Sequence, residues 1–211
     1  LEKSGLKAKN KMPEFFLELF SEEMPANLQS SARDNLLINF KIFFEKENIE
    51  YKNDPKVIST PNRLVIYFKN VNKEIIQKSE EIRGPSVNAP EKAISGFIKS
   101  NNIKKKNIYK KITEKGEFFF YKKPSKKIRT VELLNEQIPI ILNKLSWKKS
   151  MKWGEHDLYW GRPLKSILGV FDGQSLKFKF HHLVSSNATF VDKEFEEKIK
   201  NFNNFSSYLS Y

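Results

Sequence analysis

Arg63-Leu64-Val65-Ile66-Tyr67-Phe68-Lys69-Asn70-Val71 is the stretch on which the fold turns. Its β-branched and aromatic residues make it the clearest strand in the 211-residue sequence. Pro61-Asn62 supplies a turn before it, and Pro55 starts a shorter extended piece, Val57 to Thr60. Further upstream, Leu28, Ala32, Leu36, Phe40 and the pair Phe43/Phe44 recur at helical spacing and predict a helix over about 26–47. Glu14 to Phe20 reads as an apolar strand, stopped by Ser21-Glu22-Glu23-Met24-Pro25. Strand, long helix and two strands make an α+β unit, not a doubly wound one. Phe15, Leu17 and Leu19 are expected in one sheet with Leu64, Ile66 and Phe68, with the helix packed on it. Glu22 and Glu23, just before the helix, either stabilise its dipole or line a site that needs negative charge.

Downstream the elements shorten. A polar segment, Asn72 to Glu81, leads to a tight turn at Arg83-Gly84-Pro85. Pro90 starts a helix reaching Lys99, with Ala93, Ile94, Phe97 and Ile98 inward. Thr113-Glu114-Lys115-Gly116 reads as a hairpin loop before the aromatic strand Phe118 to Tyr121. Thr130 is an expected N-cap, and Pro139 divides the following pattern into helices over 130–137 and 139–145. Ser166 to Phe171 reads as a buried strand, closed by Asp172-Gly173 and followed by a second strand from Ser175 to Leu183. The fold class is therefore α+β, with small mixed or antiparallel sheets, packed helices and a hairpin-rich second half. Residues 1–11 read as a disordered lead-in before a natural start at Met12. Residues 12–186 read as the α+β region, with a sub-boundary near 72–90. Residues 187–211 read as a strand-to-helix start of a further element that is cut off.

The net charge is +13, from 38 Lys+Arg against 25 Asp+Glu. It is not spread evenly. Residues 101–130 hold ten Lys and one Arg against two Glu, and 144–165 hold five Lys and one Arg against Glu155 and Asp157. Those two stretches account for the whole excess, which points to a polyanionic partner: RNA, DNA or an anionic membrane surface. The candidate phosphate-binding cations are Lys104, Lys105, Lys106, Lys110, Lys111, Lys122, Lys123, Lys126 and Lys127, then Lys148, Lys149, Lys152 and Arg162. All three tryptophans, Trp147, Trp153 and Trp160, lie in the second stretch. They serve either as stacking faces for bases or as core residues.

Several chemistries find no support. Without cysteine there is no disulfide or thiolate metal site, and three histidines argue on composition against a histidine-rich zinc site, so no metal is expected. His181-His182 on a strand would point to opposite faces. Glu155-His156-Asp157 is an adjacent trio whose side chains diverge. There is no Gly-rich phosphate loop and no nucleophile elbow, so no catalytic residue is expected. No apolar run approaches the ~20 residues of a membrane span, and a cytoplasmic protein without a membrane partner is expected.

Several segments together resemble the β subunit of the bacterial heterotetrameric glycyl-tRNA synthetase. They are the Glu22-Glu23-Met24-Pro25 step after an apolar strand, Thr60-Pro61-Asn62-Arg63-Leu64, Arg83-Gly84-Pro85, Ala93 to Phe97 and Lys115-Gly116-Glu117. Lys149-Ser150-Met151-Lys152-Trp153-Gly154 and Arg162-Pro163 complete the series, with Lys152 where the family usually has Arg. The family also usually carries Gly-His-Arg-Phe shortly afterwards, where Phe190-Val191-Asp192 stands here, and its β subunit is several times longer. The resemblance implies the amino-terminal part of a non-catalytic subunit that helps hold tRNA for glycine. A separate α subunit would activate glycine with ATP, so ATP would be used by the holoenzyme and no cofactor would belong to this chain. A second β subunit in an α2β2 assembly is implied as a partner. Two other readings stay open: a subunit-association module whose basic surface answers a negative α subunit, and a stand-alone RNA-binding domain without a ligase role.

Overall fold

The computed structural model describes residues 13–191 and 198–211, so the lead-in expected over 1–11 lies outside the described residues. The chain begins β1 (Glu14–Ser21), α1 (Ala26–Lys46), β2 (Lys52–Ser59), β3 (Arg63–Lys69) and β4 (Glu74–Gln77). It continues β5 (Glu80–Ser86), α2 (Glu91–Ser100), β6 (Ile108–Thr113), β7 (Gly116–Lys123), β8 (Lys126–Arg129) and α3 (Thr130–Asn143). Then come β9 (Met151–Lys152), β10 (Tyr159–Trp160), β11 (Leu164–Phe171), β12 (Gln174–Ser175), β13 (Lys179–Phe180) and β14 (Leu183–Val184). β15 (Ala188–Phe190), β16 (Ile199–Asn201) and α4 (Phe205–Leu209) complete the described chain. The architecture is α+β.

Two compact units form. The larger takes the residues up to 75 together with 129–211, and the smaller is the insertion 76–128. The chain crosses between them along β4 and β8, which pair as a two-stranded ribbon.

The larger unit is built on a five-stranded sheet in the order β12-β11-β1-β3-β2. β1 is central and antiparallel to both neighbours, with Phe15 opposite Phe68, Leu17 opposite Ile66 and Leu19 opposite Leu64. The expected sheet is thus present. On that face lies α1, and Phe15, Phe40, Phe44 and Phe68 interlock, with Phe44 and Phe68 ring centroids 4.5 Å apart. All four rings are fully buried, each stabilising by about 2–3 kcal/mol from area alone.

The opposite face is also covered. Phe16, Val65, Leu168 and Val170 pack against Phe202, Phe205 and Tyr208 of the carboxy-terminal segment. Burial on both faces explains why β1 is a nearly unbroken apolar run rather than an alternating one.

Sequence expectations fail at two places, α3 and the segment 175–183, for identifiable reasons. α3 is one helix through Pro139, not two. Its buried Leu133, Leu134, Ile138, Ile141 and Leu142 form one stripe across the proline, and tertiary packing of that stripe outweighs the missing N–H. Thr130 does not cap it either; its buried hydroxyl donates to the Asn72 carbonyl and its N–H to Lys73 O. The second exception is the strand expected over 175–183. β11 turns at Asp172 (φ 51°) and Gly173 (φ 78°), but β12 lasts two residues. Leu176 falls onto Gly169, where an added Cβ would sit 3.3 Å from its Cδ1. The Ser185 hydroxyl then accepts from Phe178 N–H and donates to Leu176 O, drawing the chain into the small β13–β14 hairpin.

Candidate nucleic-acid interface

The smaller unit is a three-stranded antiparallel sheet, β5-β7-β6, with α2 against it. The β6–β7 hairpin closes at Thr113 to Gly116, with Gly116 at φ 111°, as the Lys-Gly sequence predicts. α2 approaches closely at Gly84, where a Cβ would lie 2.8 Å from the Phe97 ring. The unit carries fourteen Lys and Arg against five Glu, a net of +9 from only 53 residues.

Strand register distributes these cations. Arg83, Phe120 and Tyr109 stand opposite one another, as do Glu81 and Lys122, and Phe118 and Lys111. Alternation puts all seven on one face and Lys110 and Lys123 on the other, with Phe119 and Tyr121. On the first face the Lys111 ammonium donates to Glu81 at 2.6 Å, Tyr109 donates to the same carboxyl, and both bonds hold it below the usual carboxylate range. That bond also raises the Tyr109 hydroxyl above its ordinary value. The Arg83 guanidinium lies 3.7 Å from the Phe118 ring centre. Lys104 precedes a single 3-10 turn that holds Lys105 and Lys106, while Lys126 and Lys127 lie on β8. All nine predicted lysines of this unit are exposed, but they do not share one face.

The remaining four candidates belong to the larger unit. Lys148 and Lys149 are exposed between α3 and β9. Lys152 pairs with Asp157 at 2.7 Å; the shared hydrogen bond raises the ammonium and lowers the carboxyl. Arg162 is half-buried, its Nε donating to Glu23 O at 3.0 Å, so it tethers the turn between β1 and α1 to the chain entering β11. Glu22 in turn pairs with Lys165 at 2.6 Å, a role that neither expectation for Glu22 and Glu23 anticipated.

The tryptophans are tied to one another. Trp160 is 2% exposed, Trp147 packs on it at 4.9 Å, and Trp153 Nε1 donates to Trp160 O at 2.9 Å. Gly161 is required by this packing, since a Cβ there would meet Trp147 Cε3 at 2.5 Å.

Two arrangements escaped the sequence reading. His181 and His182 form the β13–β14 turn instead of a strand, with His181 at φ 51°, and the His182 ring stacks on His156 at 3.7 Å. Glu18, fully buried on β1, accepts from Arg63 Nη1 at 2.7 Å and from the Thr189 and Tyr208 hydroxyls. A lone carboxylate inside Phe-Phe-Leu-Glu-Leu-Phe was the available signal, because a buried charge demands partners. Among the described residues no cluster of three or more His, Asp or Glu is placed to hold a metal ion, and no helix is long and apolar enough to cross a membrane.

The sequence model of the family described as glycyl-tRNA synthetase beta subunit matches residues 15–211. The glycine–tRNA ligase beta subunit of Rickettsia africae is 38% identical over 197 residues, covering 93% of this chain and 29% of that protein. Those of Rickettsia prowazekii and Rickettsia bellii are each 39% identical, over 92% and 93% of this chain and 29% and 30% of their own length. The chain thus spans a little under a third of the curated relatives it matches.

Proposed function

Because the chain belongs to the glycyl-tRNA synthetase beta subunit family, we propose that it is the amino-terminal part of such a subunit and contributes tRNA binding and subunit assembly to glycine–tRNA ligation. The observation that carries this is the smaller unit: +9 on 53 residues, with all thirteen of its lysines exposed, the nine candidates among them. Contacts of this kind act through phosphate charge and position the RNA without reading its sequence. On this reading the holoenzyme pairs this subunit with an α subunit that activates glycine with ATP, in a cytoplasmic α2β2 assembly acting on tRNA for glycine. On this reading the chain itself is expected to supply no catalytic residue and no cofactor site.

The test is a salt titration of tRNA binding. Each phosphate contact contributes roughly 0.7–0.9 to the slope of log affinity against log salt. The variant Lys105→Gln/Lys110→Gln/Lys122→Gln/Lys126→Gln should flatten that slope by about 1.5 or more. An unchanged slope would remove the smaller unit from the RNA surface. A salt-insensitive association with the α subunit, and none with tRNA, would favour the subunit-association reading. Glycine-dependent ATP–pyrophosphate exchange by the purified chain alone would overturn its non-catalytic role.

A further inference from the structure

A cavity of about 420 Å³ opens in the larger unit, walled by Trp153, His156, Leu158, Lys165, His182 and Phe190. That size suits a small planar organic group. Two segments remote in sequence build it, one around 153–165 and one around 182–190. Its walls are flat and held in place. The His156 and His182 rings are 8° from parallel, and Trp153 is fixed by its bond to the Trp160 carbonyl. Gly154 turns the chain between Trp153 and His156 at φ 62°. Leu158 is buried beneath, and Phe190 rests on Phe20 at 5.3 Å. Lys165 is already bonded to Glu22, so the wall does not offer a bare cation to an anion. Burial, then His156 and His181, hold the His182 ring below its ordinary pKa. It is neutral at physiological pH and presents one donor and one acceptor.

We propose that this cavity receives the base of an unpaired nucleotide of the bound RNA, a proposal that rests on the RNA-binding reading above. Flat rings with a polar edge are what a base needs, and they stack without demanding charge. A phosphate or carboxylate ligand would need a free cation inside, and Lys165 is engaged. The charge complementarity lies outside the cavity. Exposed Lys148 and Lys149 are on the chain leading to Trp153.

With three histidines in the chain, imidazole proton resonances report on the site directly. The 211-residue chain is titrated with the 5′-monophosphates of adenosine, cytidine, guanosine and uridine, with ribose 5-phosphate as the base-free control. At least one nucleotide should shift the His156 and His182 signals together, and ribose 5-phosphate should leave them in place. His182→Ala should abolish the response and weaken binding of a single-stranded hexanucleotide about ten-fold. His182→Phe, which keeps a flat face, should recover most of that loss. Equal shifts from ribose 5-phosphate would overturn the base assignment. So would silence from all four nucleotides in a chain that still binds tRNA with its full salt slope. Failure of tRNA binding alongside an intact nucleotide response would instead overturn the RNA-binding reading.

Discussion

Glu18 sits in the middle of the central strand with a fully buried side chain, facing Arg63, which is 19% exposed. The pair is completed by Thr189 and Tyr208, and Arg63 also donates to the Phe190 carbonyl at 2.6 Å. Burial, and then the Glu18 carboxylate, push the Tyr208 hydroxyl far above its ordinary range. Removing one partner of such a pair leaves an uncompensated charge. Arg63→Met should therefore cost about 3 kcal/mol or more in denaturant unfolding. Glu18→Leu/Arg63→Met should regain part of that loss, and an Arg63→Met midpoint equal to wild type would refute the network's role. His182 gives a second residue-scale prediction. Its folded pKa lies below the ordinary 6.5, so the unfolded chain binds more protons just below that value. Stability from this group is therefore present above about pH 6.5 and is lost as pH falls toward the depressed folded value. His182→Phe should lose less thermal stability than wild type between about pH 7.5 and 5.5.

At the scale of elements, α3 continues through Pro139 because its apolar stripe is held on both sides of it. An alanine there restores the N–H without disturbing that stripe. Pro139→Ala should stabilise the chain by ~1–3 kcal/mol, read as a raised midpoint at unchanged slope. A lowered midpoint would mean the proline is needed where it stands. In the smaller unit, α2 and β5 touch at Gly84 with no room for a methyl group. Gly84→Ala should cost ~1–3 kcal/mol by overpacking Phe97, measured in the same assay. Lysines on this sheet are not equivalent. Lys111 is bonded to Glu81, and Lys122 lies across from that carboxyl, whereas Lys110 and Lys123 stand on the other face. Lys110→Gln/Lys123→Gln should therefore flatten the tRNA salt slope more than Lys111→Gln/Lys122→Gln.

For the whole molecule, the insertion 76–128 carries +9 of the net +13, and β4 pairs with β8 where the chain enters and leaves it. The paired strands offer a place to close the larger unit on itself. Replacing 78–125 by an Asn-Gly turn should leave a cooperative melting transition while removing most of the salt-dependent tRNA binding. Loss of the transition would show that the larger unit needs the insertion to fold. Full tRNA binding by the shortened chain would move the RNA surface to Lys148 and Lys149.

The local periodicities were enough to give the α+β class, β1, α1 and β3, and the pairing of Phe15, Leu17 and Leu19 with Phe68, Ile66 and Leu64. Those features depend on residues whose spacing decides their own face. The clustering of positive charge was legible for the same reason, since counting needs no coordinates. Other features depended on partners far along the chain, and only the tertiary structure decided them. Thr130 bonds Asn72 instead of capping α3, the proline is absorbed by packing, and Leu176 settles on Gly169 instead of prolonging a hairpin. Glu18 finds Tyr208 across 190 residues, and His156 meets His182 through two loops. A side chain's period names the face it occupies, but not what covers that face; the covering groups come from elsewhere in the sequence, and the folded chain alone brings them there.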